Sequence, residues 1–435
     1  MRGYLDPMRK ACSSGGSRSW VLVLGLYVLS LLLVLTCNSL PFLIGNRQDM
    51  ALACVSCVEL AMILALWRRV AVPRRFLQWM IVWTAVLFAI YGVIGIAGGS
   101  FGGKRMFCVF LLMTLFPLLM ELFSLTGNRD FFFRSYVNVV VLFAALSLVF
   151  WLAGPVFGVI GTNCYIENSW TGTEYNVMTP GYFGVHYVTQ MLQIPGGAIV
   201  VRNTGLFAEA PMYSLVLATA FVVEAFFMTR KTRLPILLLL AVTVVTTFST
   251  TGMVAILIAS ACLLLLSSEN KSKHFRVLVS LIFVLVLAFV LLISQQLVEV
   301  KLGSGSGGVR ADDIRAGLKA WGNDYLLGNG FGGQETVKSY MSSFRAGNTG
   351  FSNTLLDVLA KGGVVYLLVY LIPALGYLRA DWRMRIGFLV FLFVWILTIS
   401  TNLPLTFVFF SLGFVLLVGD FSEGETKDDS LVQRS

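Results

Sequence analysis

Charged side chains are scarce in this chain of 435 residues: Asp, Glu, Lys and Arg make up only 12% of it, about half of what soluble domains carry. So few charges cannot cover a water-facing surface, which excludes a soluble globular fold. Histidine is scarcer still, with only His186 and His274. No His/Cys/carboxylate cluster shows metal-ligand spacing, so neither a metal nor another cofactor is expected. The seven cysteines sit mostly in or beside apolar runs; only Cys164 falls well inside a polar segment, so no disulfide framework is implied. Cys54 and Cys57 read as small packing residues of a helix, not as a redox pair. The net charge of +10 is spread in short clusters between apolar runs, with no basic face, so nucleic acid is not expected as a partner.

What the sequence has in plenty is hydrophobic length. Apolar residues make up 57% of the chain, and they gather into runs near the roughly 20 residues that a bilayer-spanning helix needs. The runs are 20–37, 50–67, 76–97, 106–125, 136–160, 208–229, 234–250, 251–267, 276–294, 353–378, 386–401 and 403–419. The expected fold is an all-α polytopic transmembrane bundle of about twelve spans, a single integral membrane domain over 1–435. The tight pairs 234–267 and 386–419 read either as close helical hairpins or as broken helices. The basic, polar start of the chain and the run from Trp20 resemble a signal anchor without a cleavage site, so that run is expected to stay as the first span.

Orientation follows from charge. With the N-terminus inside, most of the 32 Lys and Arg residues fall in inner segments, including Arg68, Arg69, Arg74, Arg75, Arg230, Lys231, Arg233, Arg379, Arg383 and Arg385. Every short inner loop is then basic, as the positive-inside rule requires. Both termini are expected in the cytoplasm. Two long segments, 161–207 and 295–352, fall outside the membrane. Loops longer than about 15 residues are usually functional or disordered, and the other connections are minimal.

Each long segment carries a group of polar residues. The first holds Trp170, Glu174, Tyr175 and His186, and ends in Arg202-Asn203-Thr204-Gly205-Leu206-Phe207-Ala208-Glu209-Ala210-Pro211. Pro211 suits the first turn of a helix. Arg202 and Glu209 share a face only if the segment between them is helical, which Gly205 opposes; an arginine reaching headgroups and a glutamate on a helix end are the plainer readings. The second segment runs through the Gly/Ser tract from Gly303 to Gly308 into an amphipathic stretch with Arg310/Asp313 and Asp312/Arg315 as i,i+3 pairs. A helix there sets Arg315 and Lys319 on a basic face beside an apolar strip of Ile314, Leu318 and Trp321. Such a face either meets anionic phosphates or pairs its charges internally. Gly328-Asn329-Gly330 follows as a tight turn; it has neither the strand nor the lysine of a nucleotide-binding loop. Asn353 opens the next span, as its cap or as a ligand for substrate, with Asp357 and Lys361 at i,i+4. The spans themselves hold few carboxylates, notably Glu59, Glu121 and Glu224, whereas a proton-coupled transporter is expected to bury more, in pairs.

Taken in order, these pieces resemble the bacterial O-antigen polymerase and O-antigen ligase superfamily, over roughly residues 200–380. Arg202, Gly205, Phe207, Glu209 and Pro211 are similar to a polymerase pattern, with one extra residue before the proline. Ser249-Thr250-Thr251-Gly252 resembles the family's turn between two spans. Arg310, Gly328-Asn329-Gly330, Asn353 and Gly362-Gly363 follow the order of its second loop. Ligases usually carry a His before that Asn, where this chain has Ser352, so the resemblance leans towards the polymerases.

The resemblance implies a substrate, a polyprenyl-diphosphate-linked oligosaccharide, and a place, the outer face of a bacterial cytoplasmic membrane. It implies that Arg202 and Arg310 neutralise diphosphate and that Glu209 is the general base towards an acceptor hydroxyl. Arg315, Asn353, His186, Gly328 and Gly330 join as substrate-binding positions. A flippase and a chain-length regulator are the implied protein partners. The competing readings are a ligase of the same superfamily and a transporter without chemistry.

Overall fold

The computed structural model describes residues 20–43, 47–168, 177–193, 199–228, 233–267, 305–345, 350–398 and 400–419. The expected span 276–294 and the loop residues Trp170, Glu174 and Tyr175 lie outside the described residues.

The chain is a mostly helical, polytopic membrane protein. Its helices are α1 (Trp20–Leu35), α2 (Gln48–Trp67), α3 (Arg74–Ala97), α4 (Gly103–Leu125), α5 (Arg129–Trp151), α6 (Ala210–Val222), α7 (Leu234–Thr246), α8 (Thr250–Ser267), α9 (Gly305–Trp321), α10 (Gln334–Ser339), α11 (Thr354–Ala374), α12 (Trp382–Ile396) and α13 (Pro404–Val418). Among the described residues, 6 helical stretches are long and apolar enough to cross a membrane, and α1, α7, α8 and α13 are shorter apolar helices. Every expected run other than 276–294 falls on one of these helices. Leucine, isoleucine, valine and phenylalanine dominate all round them, as a lipid-facing or bundle-centre helix demands. The tight pairs resolve as separate helices, α7 (Leu234–Thr246) being followed by α8 (Thr250–Ser267) and α12 (Trp382–Ile396) by α13 (Pro404–Val418).

The segment between α5 and α6 departs from an all-α fold. Strands β1 (Cys164–Asn168), β2 (Val177–Tyr182) and β3 (His186–Tyr187) form one antiparallel sheet, with Cys164 opposite Gly181 and Tyr182 opposite His186. Strands β4 (Met191–Gln193) and β5 (Ile199–Val201) form a second. Valine, isoleucine, threonine and tyrosine are frequent here and suit half-buried strands, but each run is too short for alternation to stand out beside the apolar spans.

Hydrogen bonds gather the helix ends into one face. Ala208 N–H donates to the Asn38 carbonyl just beyond α1 (3.1 Å), and Trp151 at the end of α5 donates its indole N–H to Val201 (2.9 Å). Asn203 N–H reaches Thr246 at the end of α7 (3.0 Å), and Ser400 N–H reaches the Thr354 hydroxyl at the start of α11 (2.9 Å). At the other face, Arg233 pairs with the buried Glu224 (2.8 Å) and Arg383 caps the carbonyl of Ala225.

Helix α11 is broken at Gly362 and Gly363, and the turn after α9 fills the gap. Val364 and Val365 N–H groups donate to the carbonyls of Tyr325 and Leu326 (3.0 and 3.1 Å), replacing the lost helical partners. Asn329 donates its side-chain amide to Ala320 and Ala360 (2.7 and 2.8 Å), stapling α9 to α11. Backbone lies on backbone here: a Cβ on Gly330 would stand 2.9 Å from the Cα of Gly98 at the end of α3, and Gly330 holds φ +82°. A side chain fits neither that approach nor that angle.

Candidate functional site

The last residues before α6 build the site. Arg202 continues the β4–β5 ladder, its N–H donating to the Gln190 carbonyl (3.1 Å), and its guanidinium turns to the C-terminal end of α7. Nε donates to the Thr247 carbonyl (2.8 Å), Nη2 to the Phe248 carbonyl (3.3 Å) and Nη1 to Gln190 Oε1 (3.0 Å). A cation belongs at such a helix end, where exposed carbonyls carry partial negative charge. The same Gln190 oxygen accepts from Ala210 N–H (3.0 Å), the first amide of α6. One side chain thus ties Arg202 to the helix that follows Glu209.

Glu209 stands immediately before α6, and among the described residues its carboxylate accepts no hydrogen bond and makes no ion pair. Burial pushes this carboxyl up to about 7, with the charge of Arg202 pulling the other way. Burial likewise lowers Arg202 to about 10; Glu209 raises it, and the like charge of Arg310 lowers it further. Arg202 therefore feels the charges of both Glu209 and Arg310, the latter far along the chain. The 202–209 segment is not helical. Gly205 takes φ +53°, and Phe207 forms a bridge with Ser39, so a fold-back brings the residues together where helical spacing does not.

Arg310 stands on α9 with an exposed side chain. Crowding by the protein lowers it from the ordinary arginine value, and Asp313 opposes this. The expected Arg310/Asp313 ion pair is absent. Asp313 pairs instead with Arg345, and also accepts from Ser352 N–H (3.0 Å) and the Ser352 hydroxyl (2.6 Å). Among the described residues Arg310 makes no hydrogen bond or ion pair, so its donors are unspent.

Other residues expected at the site serve the framework. The expected Asp312/Arg315 pair does form (2.7 Å), and Arg315 also donates to the Ser342 hydroxyl (2.5 Å). Burial works to raise Asp312, but the bonds from Ser342 and Arg315 outweigh it and hold this carboxyl below its usual value. Asn353 caps α11 by accepting from Leu356 N–H (3.0 Å). Gly328 and Gly330 serve the backbone docking against α11 and α3. His186 is fully buried, neither ring nitrogen has a hydrogen-bond partner among the described residues, and burial lowers it to about 4. Ile314 and Leu318 of the apolar strip face outward, about half exposed, while Ala316 and Ala320 are buried against α11.

The sequence reading missed Gln190 and Arg345, because nothing local marks their partners. It also passed over a polar cavity of about 200 Å³ beside the site, lined by Asn38, Gln48, Arg105, Asp357, Lys361 and Asn402 among others. The i,i+4 spacing of Asp357 and Lys361 inside an apolar run was its visible sign.

No curated protein and no solved structure matches the chain. Residues 235–371, which run from α7 to the latter half of α11 and hold Arg310 and the turn that Arg202 grips, match the model of the O-antigen ligase family.

Proposed function

We propose that this protein polymerises polyprenyl-diphosphate-linked oligosaccharide repeats into O-antigen, capsule or exopolysaccharide at the outer face of a bacterial cytoplasmic membrane. The observation that carries the reading is Arg202, held by three side-chain hydrogen bonds at the end of α7 and subject to the charges of both Glu209 and Arg310. The similarity of residues 235–371 to the O-antigen ligase family supports the substrate class. The basic residues at the opposite face, among them Arg68, Arg69, Arg233 and Arg383, support an inward orientation for that face. The site then lies outside, at headgroup depth, and both termini lie inside.

In this reading the lipid tail of the substrate stays in the bilayer and its diphosphate meets the arginines. A hydroxyl of the acceptor sugar attacks the anomeric carbon of the donor. The new C–O bond forms as the bond from that carbon to the diphosphate breaks, and polyprenyl diphosphate leaves with the electron pair. Arg310, with unspent donors, binds the leaving group. Arg202, already fixed by three bonds, supplies a preorganised positive field. Glu209 takes the proton of the attacking hydroxyl; a carboxyl near 7 is well matched to that task at neutral pH. Ser352, standing where ligases usually hold His, is bonded to Asp313, which favours the polymerase branch. A flippase delivering the repeats and a chain-length regulator are the expected partners.

The test is made in the native host with Arg310→Ala. Loss of long-chain glycan, with single-repeat surface glycan remaining, is the polymerase outcome. Glycan stranded on its lipid carrier marks a ligase, and full-length ladders from a stably expressed variant reject the role of Arg310.

A further inference from the structure

The cavity beside the site sits where several helix ends meet. Its walls are the end of α1 (Thr36, Asn38), the start of α2 (Gln48, Ala51), Arg105 of α4, the first turns of α11 (Asp357, Lys361) and the 400–403 connection. The Asn38 wall is tied directly to the segment that carries Glu209, because its carbonyl accepts from Ala208 N–H.

Its charges are already neutralised. Lys361 pairs with Asp357 (2.7 Å), both largely buried, and Arg105 pairs with Asp49 (2.9 Å). A diphosphate finds no uncompensated cation here, in contrast to Arg310. Hydrogen-bonding capacity is nevertheless left over. Asp357 Oδ2 takes Lys361 and the Thr401 hydroxyl (2.6 Å), while Oδ1 has no bond among the described residues. Lys361 spends one of its three donors. Asn402 Oδ1 is buried without a partner among the described residues, and a buried acceptor left unpaired is costly. Unspent donors and acceptors, side by side in a neutral polar cavity, suit groups that both donate and accept. Hydroxyls are such groups.

We infer that this cavity is a sugar subsite, holding one uncharged hexose-like ring of the lipid-linked glycan through Asp357, Lys361 and Asn402, with its Asn38 wall bonded to the residue before Glu209. This rests on the glycan-transfer reading above. The subsite orients the ring, while the arginines hold the diphosphate.

Binding is measured on the full chain in nanodiscs with two probes: the lipid-linked repeat extracted from the protein's own host, and the same polyprenyl diphosphate without sugar. Asn402→Ala removes a buried acceptor and is expected to weaken the sugar-bearing probe about tenfold, leaving the bare lipid diphosphate unchanged. Ala51→Val only narrows the cavity; it is expected to act in the same direction and serves if Asn402→Ala melts early. Unchanged affinity for the sugar-bearing probe in both variants, or equal losses for both probes, overturns the subsite while the glycan-transfer reading stands. A wild-type protein that binds neither probe removes that reading and the subsite together.

Discussion

Asp313 takes its cation from Arg345, not from Arg310 three residues before it. Asp313 and Arg345 are almost wholly buried, at 1% and 3% side-chain exposure, and Arg345 also donates to the Gly350 carbonyl. Together with Asp312, Ser342 and Ser352, the pair knots the second polar segment against α9 and the start of α11. The consequence lies at the site: with Asp313 occupied, Arg310, whose charge acts on Arg202, is left with unspent donors.

Asp313 and Arg310 should therefore fail differently. Asp313→Ala takes the nearest carboxylate from the buried Arg345 guanidinium, a loss of about 3 kcal/mol, and should lower the melting temperature in detergent. Arg310→Ala breaks no bond among the described residues and should melt like the parent. Its elongation rate should nevertheless fall by about 10²–10³, the usual loss for one preorganised group on a developing charge. Melting curves and glycan ladders on the same preparations check both. An Arg310→Ala protein that melts early would place this residue in the framework.

Glu209 fixes a pH profile. Its carboxyl is raised to about 7, and a general base works only when ionised. Elongation by the parent should fall about tenfold for each pH unit below that value and level off above it. Glu209→Gln cannot ionise, so its residual rate should lie about 10²–10⁴ lower and lose this limb. A parent profile flat from pH 5 to 8 would remove Glu209 from the base role.

Much of the bundle was legible in the sequence, because lipid imposes a coarse rule. A helix that must satisfy its backbone internally and face hydrocarbon is written as one long apolar run. The strands at Cys164–Asn168 and Val177–Tyr182 were not, since five or six residues of mixed polarity carry little signal. At the site, the sequence singled out Arg202, Glu209 and Arg310 but gave no reason for Arg202 to turn away from a helical spacing with Glu209. That reason is the backbone turn at Gly205 and the grip of Arg202 on the end of α7. The choice of Arg345 by Asp313 was equally hidden. Local spacing favours Arg310, and only the docking of Ser342 and Ser352 onto Asp312 and Asp313 of α9 brings Arg345 in.

The resemblance makes Gly328 and Gly330 substrate-binding positions, and the geometry of this turn makes a different forecast. Gly330 lies at φ +82° against Gly98, so Gly330→Ala meets both a left-handed backbone strain of about 1–2 kcal/mol and a backbone clash. The amount of folded protein should drop, while the rate per folded molecule stays near the parent's. Active-site titration by binding of the lipid-linked repeat, combined with elongation rates, separates the two. A well-folded Gly330→Ala protein with a low rate would return this turn to the site.

His186 gives a prediction about stability. It is buried without a partner for either ring nitrogen, and its folded value is lowered to about 4 from an ordinary 6.5. In the unfolded chain it gains a proton as pH falls through 6.5, while in the folded chain it stays neutral down to about 4. The unfolded state then binds more protons across that window, so stability is full above 6.5 and is lost as pH falls towards 4, by at most about 3 kcal/mol. Glu209, raised in the folded state, acts in the opposite sense between about 7 and 4.5, so the parent's curve alone mixes the two. Comparison with His186→Phe isolates the histidine, because the variant keeps a ring in the site but has nothing to protonate. The melting temperatures of variant and parent should diverge in the variant's favour as pH falls from 7 to 5, and a constant difference across that range would mean that the ring is not held neutral by burial.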